Sequence, residues 1–207
     1  MKLSVHRVCN YLVHRFVRAP RGGGKPVPEA AMDAEYASGR WDSFFGSDET
    51  PRYETLVRLI RMIAPHPRLL DVGCGNGRLP TMFAPGELPA YLGLDLSREG
   101  LRRAESLKLP GARFVHADFE EWRPGSGAWD VIVFNESIGY ARDPAQVAQA
   151  YAASLPADGS LIVSIFRYGN WRQQWFRIEQ VFEVAHAETV TNVQGKTWDL
   201  RVLKLRS

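Results

Sequence analysis

The chain has no acidic residue before Glu29, only two cysteines among 207 residues, and no apolar run near the roughly 18 residues that a membrane-crossing helix requires. Each lack removes a class of function. Cys9 and Cys74 have neither metal-ligand spacing nor the makings of a disulfide framework, so no metal site is expected and a reducing compartment, the cytoplasm, fits best. Without a long apolar stretch, neither a transmembrane nor a secretory segment is expected. Charge is modest too. The formal net charge of +3 and pI near 9.0 arise mostly from the N-terminus and do not by themselves imply a nucleic-acid partner.

What remains is a chain with 45% hydrophobic and 24% charged residues, enough for one globular domain with a substantial core. Residues 1–18, "MKLSVHRVCNYLVHRFVR", place Val5, Val8, Cys9, Leu12, Val13 and Phe16 on one side of a helical wheel, with Arg7, His14 and Arg18 opposite. This reads as a basic amphipathic helix. Such a helix either packs on the domain or caps a cleft, or lies weakly and reversibly on a membrane surface. The following "APRGGGKPVPEAA" carries three glycines and three prolines and reads as a flexible linker. The expected division is therefore a helix and linker over residues 1–31 and a domain over 32–207.

From residue 68 onward, short β-branched runs alternate with helical patterns. "RLLDV", "AYLGLDL", "ARFVHA", "WDVIVFN" and "GSLIVSIF" are strand candidates, and "RLPTMFA", "SREGLRRAESL" and "DPAQVAQAYAASL" are helical, with start signals at Ser97 and Asp143. That alternation predicts a parallel sheet covered by helices on both faces. The end differs: "FEVAHAETVT", "NVQGK" and "TWDLRVLKL" read as two strands around a glycine turn. The expected fold is α/β, a doubly wound Rossmann-like sheet of seven strands, mostly parallel with an antiparallel C-terminal hairpin.

In "LLDVGCGNGRLP", residues 69–80, Gly73, Gly75 and Gly77 follow a buried strand. At the carboxyl end of a first strand, a turn this bare makes room for a nucleotide-like ligand. A nicotinamide dinucleotide wants the spacing G-x-G-x-x-G, and here Arg78 stands where the third glycine belongs. About twenty residues on, Asp95 ends "YLGLD", placed to accept hydrogen bonds from both ribose hydroxyls.

These residues resemble the class I S-adenosylmethionine-dependent methyltransferases. "LLDVGCGNG", "YLGLDLS", "FVHADFEEW", "WDVIVFNESIGY" and "LPADGSLIVSIF" are similar to that family's motifs in its order and spacing, over about residues 32–207. The resemblance implies S-adenosylmethionine as cofactor and S-adenosylhomocysteine as product. It places Gly73, Gly75 and Gly77 along the methionine and ribose portion, with Asp71 orienting it through the loop. Asp95, followed by Leu96, would hold the ribose. Asp118 would meet the adenine amino group with Phe119 beside it, and Asn135 would border the sulfonium. Tyr36, Arg40 and Trp41 lie where related enzymes place a lid, and Arg40 is a candidate partner for the methionine carboxylate.

Methyl transfer from a sulfonium is an in-line displacement from an activated leaving group, so positioning supplies most of the acceleration. A base is needed only when the acceptor must lose a proton. Glu136 is the candidate base and Tyr140 the candidate orienting group, against the alternative of a loop acid and a wall residue. His186 reads as structural and Cys74 as filler between glycines. Trp171 and Trp175, one helical turn apart, suit either core packing or a flat acceptor. The stretch Asn135-Glu136-Ser137-Ile138 lacks the Asn/Asp-Pro-Pro-aromatic motif of DNA-adenine enzymes, which argues against a nucleic-acid acceptor. A small molecule is expected, a carbohydrate or glycolipid precursor being the specific guess from a faint likeness of "FNESIGYARDP" and "WDLRVLKL" to sugar methyltransferases. The alternatives are an NAD-dependent oxidoreductase and a methyltransferase-like domain that binds without turnover.

Overall fold

The structure, a computed structural model, describes residues 12–42 and 46–206. Val5, Arg7, Val8 and Cys9 of the expected N-terminal helix lie outside the described residues. Seven strands form one sheet: β1 Arg68–Val72, β2 Ala90–Asp95, β3 Ala112–His116, β4 Val131–Asn135, β5 Ser160–Phe166, β6 Phe182–Thr191 and β7 Thr197–Leu205. Their order is β3-β2-β1-β4-β5-β7-β6. The first five run parallel, β7 lies antiparallel to β5, and β6 antiparallel to β7 with a bulge between Val184 and His186. This is the fold class expected from the alternation of runs.

The helices are α1 Glu29–Ala37, α2 Thr50–Ile63, α3 Arg98–Ser106, α4 Pro144–Ala152 and α5 Trp171–Val181. Because successive strand residues face opposite ways, β4 sends Val131 and Val133 into one core and Ile132 and Phe134 into the other. Leu56, Val57, Leu59 and Ile60 of α2 close the first core. Tyr151 of α4 with Trp175 and Ile178 of α5 closes the second. Each fully buried Leu, Ile or Phe here contributes about 1.5–3 kcal/mol. The start signals are real caps: Ser97 Oγ accepts from Gly100 N at 3.0 Å, and Asp143 Oδ1 accepts from Gln146 N at 3.2 Å.

Three local readings change. "RLPTMFA" makes only a 3₁₀ turn, Leu79–Met82. Ala84 precedes Pro85, whose ring disfavours helical backbone at the residue before it, so the turn cannot extend. The glycines expected to form a flexible linker are buried and fitted to the domain. A Cβ on Gly24 would lie 2.3 Å from the carbonyl oxygens of both Gly139 and Ala141. Lys25 N donates to Gly139 O at 2.8 Å, and Asn170 Nδ2 donates to Ala19 O at 3.2 Å and Gly23 O at 2.9 Å. The preceding turn is helical, but Leu12, Val13 and Phe16 are exposed, Phe16 by 66%, so this part of the apolar side is not covered by the domain. Among the described residues no helix is long and apolar enough to cross a membrane.

Candidate active site

Strand order reverses between β1 and β4: β1 connects to β2 on one side, while β4 lies on its other side. At such a switch point the loops leaving the carboxyl ends of adjacent strands diverge and open a crevice. Gly73, Gly75 and Gly77 sit there, and the atoms they admit are the protein's own. Gly73 and Gly75 have φ of +78° and +57°, backbone that L side chains rarely adopt. A Cβ on Gly73 would meet Ser137 Cβ at 2.3 Å, one on Gly75 the Tyr36 hydroxyl at 2.5 Å, and one on Gly77 the Cβ of Ala104 at 2.9 Å. The expectation that bareness clears space for a ligand is therefore amended: it first lets β4's loop, α1 and α3 close on the β1 turn.

Asp95 joins the two turns. Its Oδ2 accepts from Gly75 N at 2.8 Å and its Oδ1 from Ser97 N at 2.7 Å. Burial raises its carboxyl above the usual range, opposed by these backbone donors. Leu96 is pinned through its carbonyl, which accepts from His116 Nε2 at 3.0 Å. Beneath the glycine loop, Asp71 Oδ2 accepts from the Tyr91 hydroxyl at 2.8 Å, while buried Oδ1 has no hydrogen-bond partner among the described residues. Burial pushes this carboxyl up to about 7.

Helix α1 fastens over this crevice. Asp33 Oδ1 accepts from Ser97 Oγ at 2.6 Å and Glu99 N at 3.1 Å, Arg103 Nη2 donates to Tyr36 O at 2.6 Å, and Arg98 pairs with Glu29 at 3.0 Å. Tyr36 is buried against Gly75 and Gly100, its ring 5.9 Å from that of Trp41. Arg40 differs from both: its side chain is 69% exposed and paired with Glu35 at 3.1 Å. Beyond β3, Asp118 Oδ1 accepts from Glu120 N at 2.8 Å, closing a tight turn. Phe119 packs edge-on against Phe134 at 6.0 Å, and its carbonyl accepts from Tyr151 Oη at 3.1 Å.

The end of β4 carries the remaining candidates. Asn135 accepts at Oδ1 from Arg52 Nη1 of α2. Arg52 is 1% exposed, and its Nε and Nη2 both donate to Glu49 Oε2, at 3.1 and 2.9 Å. Its guanidinium also lies 4.6 Å from the Tyr53 ring centroid and 5.6 Å from that of Trp198. Glu136 has φ of +63°, which costs about 1–2 kcal/mol for a residue with a Cβ. Its carboxylate is held by β5, Oε1 accepting from Ser164 Oγ at 2.5 Å and Oε2 from Phe166 N at 3.0 Å. Burial raises this carboxyl, and the Arg52 charge opposes the rise. Tyr140 lies in the 3₁₀ turn Ile138–Tyr140. Burial, with the charges of Glu35, Glu136 and Asp95, pushes its phenol up to about 12.

Sequence reasoning missed Arg52 and Glu49. The signal was there: Arg52 precedes Leu56 by four residues and Ile60 by eight, a cation on the buried stripe of α2. Two other residues fall outside the cluster. His186 pairs with Glu188 at 2.9 Å on edge strand β6, and Trp175 is buried beneath the Arg201 guanidinium at 4.1 Å. Cys74 lies within the glycine turn, where burial, with the charges of Asp95 and Asp71, raises its thiol.

The family model described as a methyltransferase domain matches residues 30–194. The chain is 33% identical over 132 residues to a trans-aconitate 2-methyltransferase of Acidovorax ebreus (strain TPSY), covering 60% of this chain and 49% of that protein. It is 27% identical over 176 residues to a malonyl-[acyl-carrier protein] O-methyltransferase of Paenibacillus sp. (strain JDR-2), covering 77% and 62%. The chain spans about half the length of the first curated relatives it matches. Its fold is that of the N-methyltransferase NodS from Bradyrhizobium japonicum WM9, solved with S-adenosylhomocysteine, at a TM-score of 0.72 and 15% identity over 86% of this chain and 98% of that one. Sheet order, glycine turn and family match together decide the assignment: the chain belongs to the methyltransferase-domain family, among the class I S-adenosylmethionine-dependent methyltransferases.

Proposed function

We propose that this protein transfers a methyl group from S-adenosylmethionine to a small molecule. The observation that carries the reading is Asp95, a buried carboxylate binding both the glycine turn and the start of α3 at the switch point of a chain in this family. The crevice fits the cofactor chemically. Asp71 Oδ1 is a buried acceptor with no donor among the described residues, and Asp95 retains lone pairs for ribose hydroxyls. Gly73, Gly75 and Gly77 line the methionine and ribose portion, Leu96, Asp118 and Phe119 the adenosyl portion, and Asn135 borders the sulfonium. Tyr36 and Trp41 on the α1 side form the cover, with Arg40 at its rim. When bound, the cofactor supplies an electrophilic methyl group. The protein's residues then orient the acceptor and exclude water, with Glu136 taking a proton when the acceptor has one to lose and Tyr140 orienting it.

Two relatives are named for trans-aconitate and for malonyl-[acyl-carrier protein], while the structural neighbour is named an N-methyltransferase. The finer reading is a sugar or glycolipid precursor, supported by Tyr168, 79% exposed and stacked on Phe166 with ring centroids 6.2 Å apart. Exposed Leu12, Val13, Phe16 and Val17, in a segment with no acid, support a weak membrane-surface contact. The cytoplasm is the proposed compartment.

Titration calorimetry of S-adenosylhomocysteine against NAD tests the cofactor. Binding of the former alone is expected. Binding of NAD alone would move the chain to the oxidoreductases, and cofactor binding without turnover on any acceptor would leave a binding domain.

A further inference from the structure

Arg52 settles which end of the Asn135 amide faces the crevice. Arginine has only donors, so the amide atom meeting its Nη1 must be the oxygen. The guanidinium cannot swing away, because Glu49 holds its other two nitrogens and the rings of Tyr53 and Trp198 flank it. The Asn135 side chain is thereby fixed with Nδ2 and its two N–H groups on the free side. Among the described residues Nδ2 makes no hydrogen bond, and Asn135 is partly exposed at the switch point.

An N–H donor beside the reacting centre discriminates between acceptor atoms by lone-pair count. A neutral amine nitrogen has one lone pair, which must lie along the line of attack, so its remaining N–H groups would confront those of Asn135. A hydroxyl or carboxylate oxygen has a second lone pair. It can attack with one and accept from Nδ2 with the other.

Resting on the methyltransferase reading, we propose that the acceptor atom is an oxygen, held by Asn135 Nδ2, and that Arg52 is the positioning residue that makes Asn135 a donor. In the transfer the oxygen gains the methyl carbon and the departing sulfur keeps the bonding pair. A hydroxyl acceptor passes its proton to the neighbouring Glu136 carboxylate, and a carboxylate acceptor has none to lose.

The test follows the Asn135 side-chain amide by ¹⁵N NMR, assigned by its loss in Asn135→Asp. Sodium formate is titrated into the protein with S-adenosylhomocysteine present, and sodium chloride at the same ionic strength in parallel. Formate, an oxygen acceptor, should shift the amide signals in a saturable way, and chloride should leave them in place. Equal movement with chloride, or no movement with formate, overturns the proposal. Calorimetry on the same samples reports S-adenosylhomocysteine binding, and its failure would sink the cofactor reading separately, because the amide's response to formate is also read without cofactor.

Discussion

The Tyr91 hydroxyl donates to one oxygen of Asp71 at 2.8 Å, while the other oxygen of the same carboxylate, also buried, has no partner among the described residues. One hydrogen bond cannot replace the hydration of a charge, so the neutral acid is favoured and its ionisation moves up to about 7.

Raising an acid's folded-state value above its ordinary 3.8 means that the native state binds the extra proton. The stabilisation is complete below pH 3.8 and is lost as pH rises through about 7, on the order of 4 kcal/mol at about 1.4 kcal/mol per pH unit. Asp71→Asn keeps the shape without the charge. Thermal unfolding between pH 5 and 8 should show the variant gaining stability relative to the parent as pH rises. A difference independent of pH would mean that Asp71 is solvated in the native protein.

Asp95→Ala should weaken S-adenosylhomocysteine binding by about 1.5–3 kcal/mol, roughly 10- to 150-fold. It should also lower the melting temperature, because Gly75 N and Ser97 N lose their acceptors. Unchanged affinity in a folded variant would remove Asp95 from the cofactor site.

Glu136→Gln should lower turnover about 100-fold or more on a hydroxyl acceptor, with cofactor affinity intact. Because burial raises its carboxyl, the parent's rate should climb with pH through a range above the usual carboxylate values. A carboxylate acceptor should be far less sensitive to the same substitution. Equal rates in parent and variant on a hydroxyl acceptor would leave Glu136 the role of tying β4 to β5 through Ser164 and Phe166.

Gly24→Ala puts a methyl group against two carbonyl oxygens 2.3 Å away, which the domain cannot yield without moving its backbone. The docked segment should loosen, at a cost of about 1–3 kcal/mol. Trypsin should then cut after Arg21, the Lys25–Pro26 bond being resistant to it, faster than in the parent while the sheet survives. An unaltered cleavage rate would mean that this segment is already free in solution.

The sequence speaks most clearly where one local pattern suffices. The parallel strands announced themselves through short apolar runs, and Ser97 and Asp143 were readable as caps because each contact spans three residues. Contacts between distant parts left weaker traces. A Gly-Gly-Gly tract reads as flexible unless one knows that Gly139 and Ala141 will close upon it. Arg52 meets Asn135 across 83 positions, and only its place on the apolar stripe of α2 hinted that its charge would be buried. Asp71, Asp95 and Asn135 were legible as a set through family likeness, whereas the orientation of the Asn135 amide depends on a neighbour that no motif names.

Strand β6 has ten residues, a partner in β7 and, among the described residues, no strand beyond it in the sheet. A border of that length offers its free N–H and C=O groups to any other extended chain, including another copy of itself. The bulge between Val184 and His186 breaks the even spacing such a newcomer would need, and exposed Glu183 sets like charge against like charge when two such borders meet. Straightening β6 by removing one bulge residue would thus threaten the protein's resistance to aggregation before it threatened the crevice on the far side of β5.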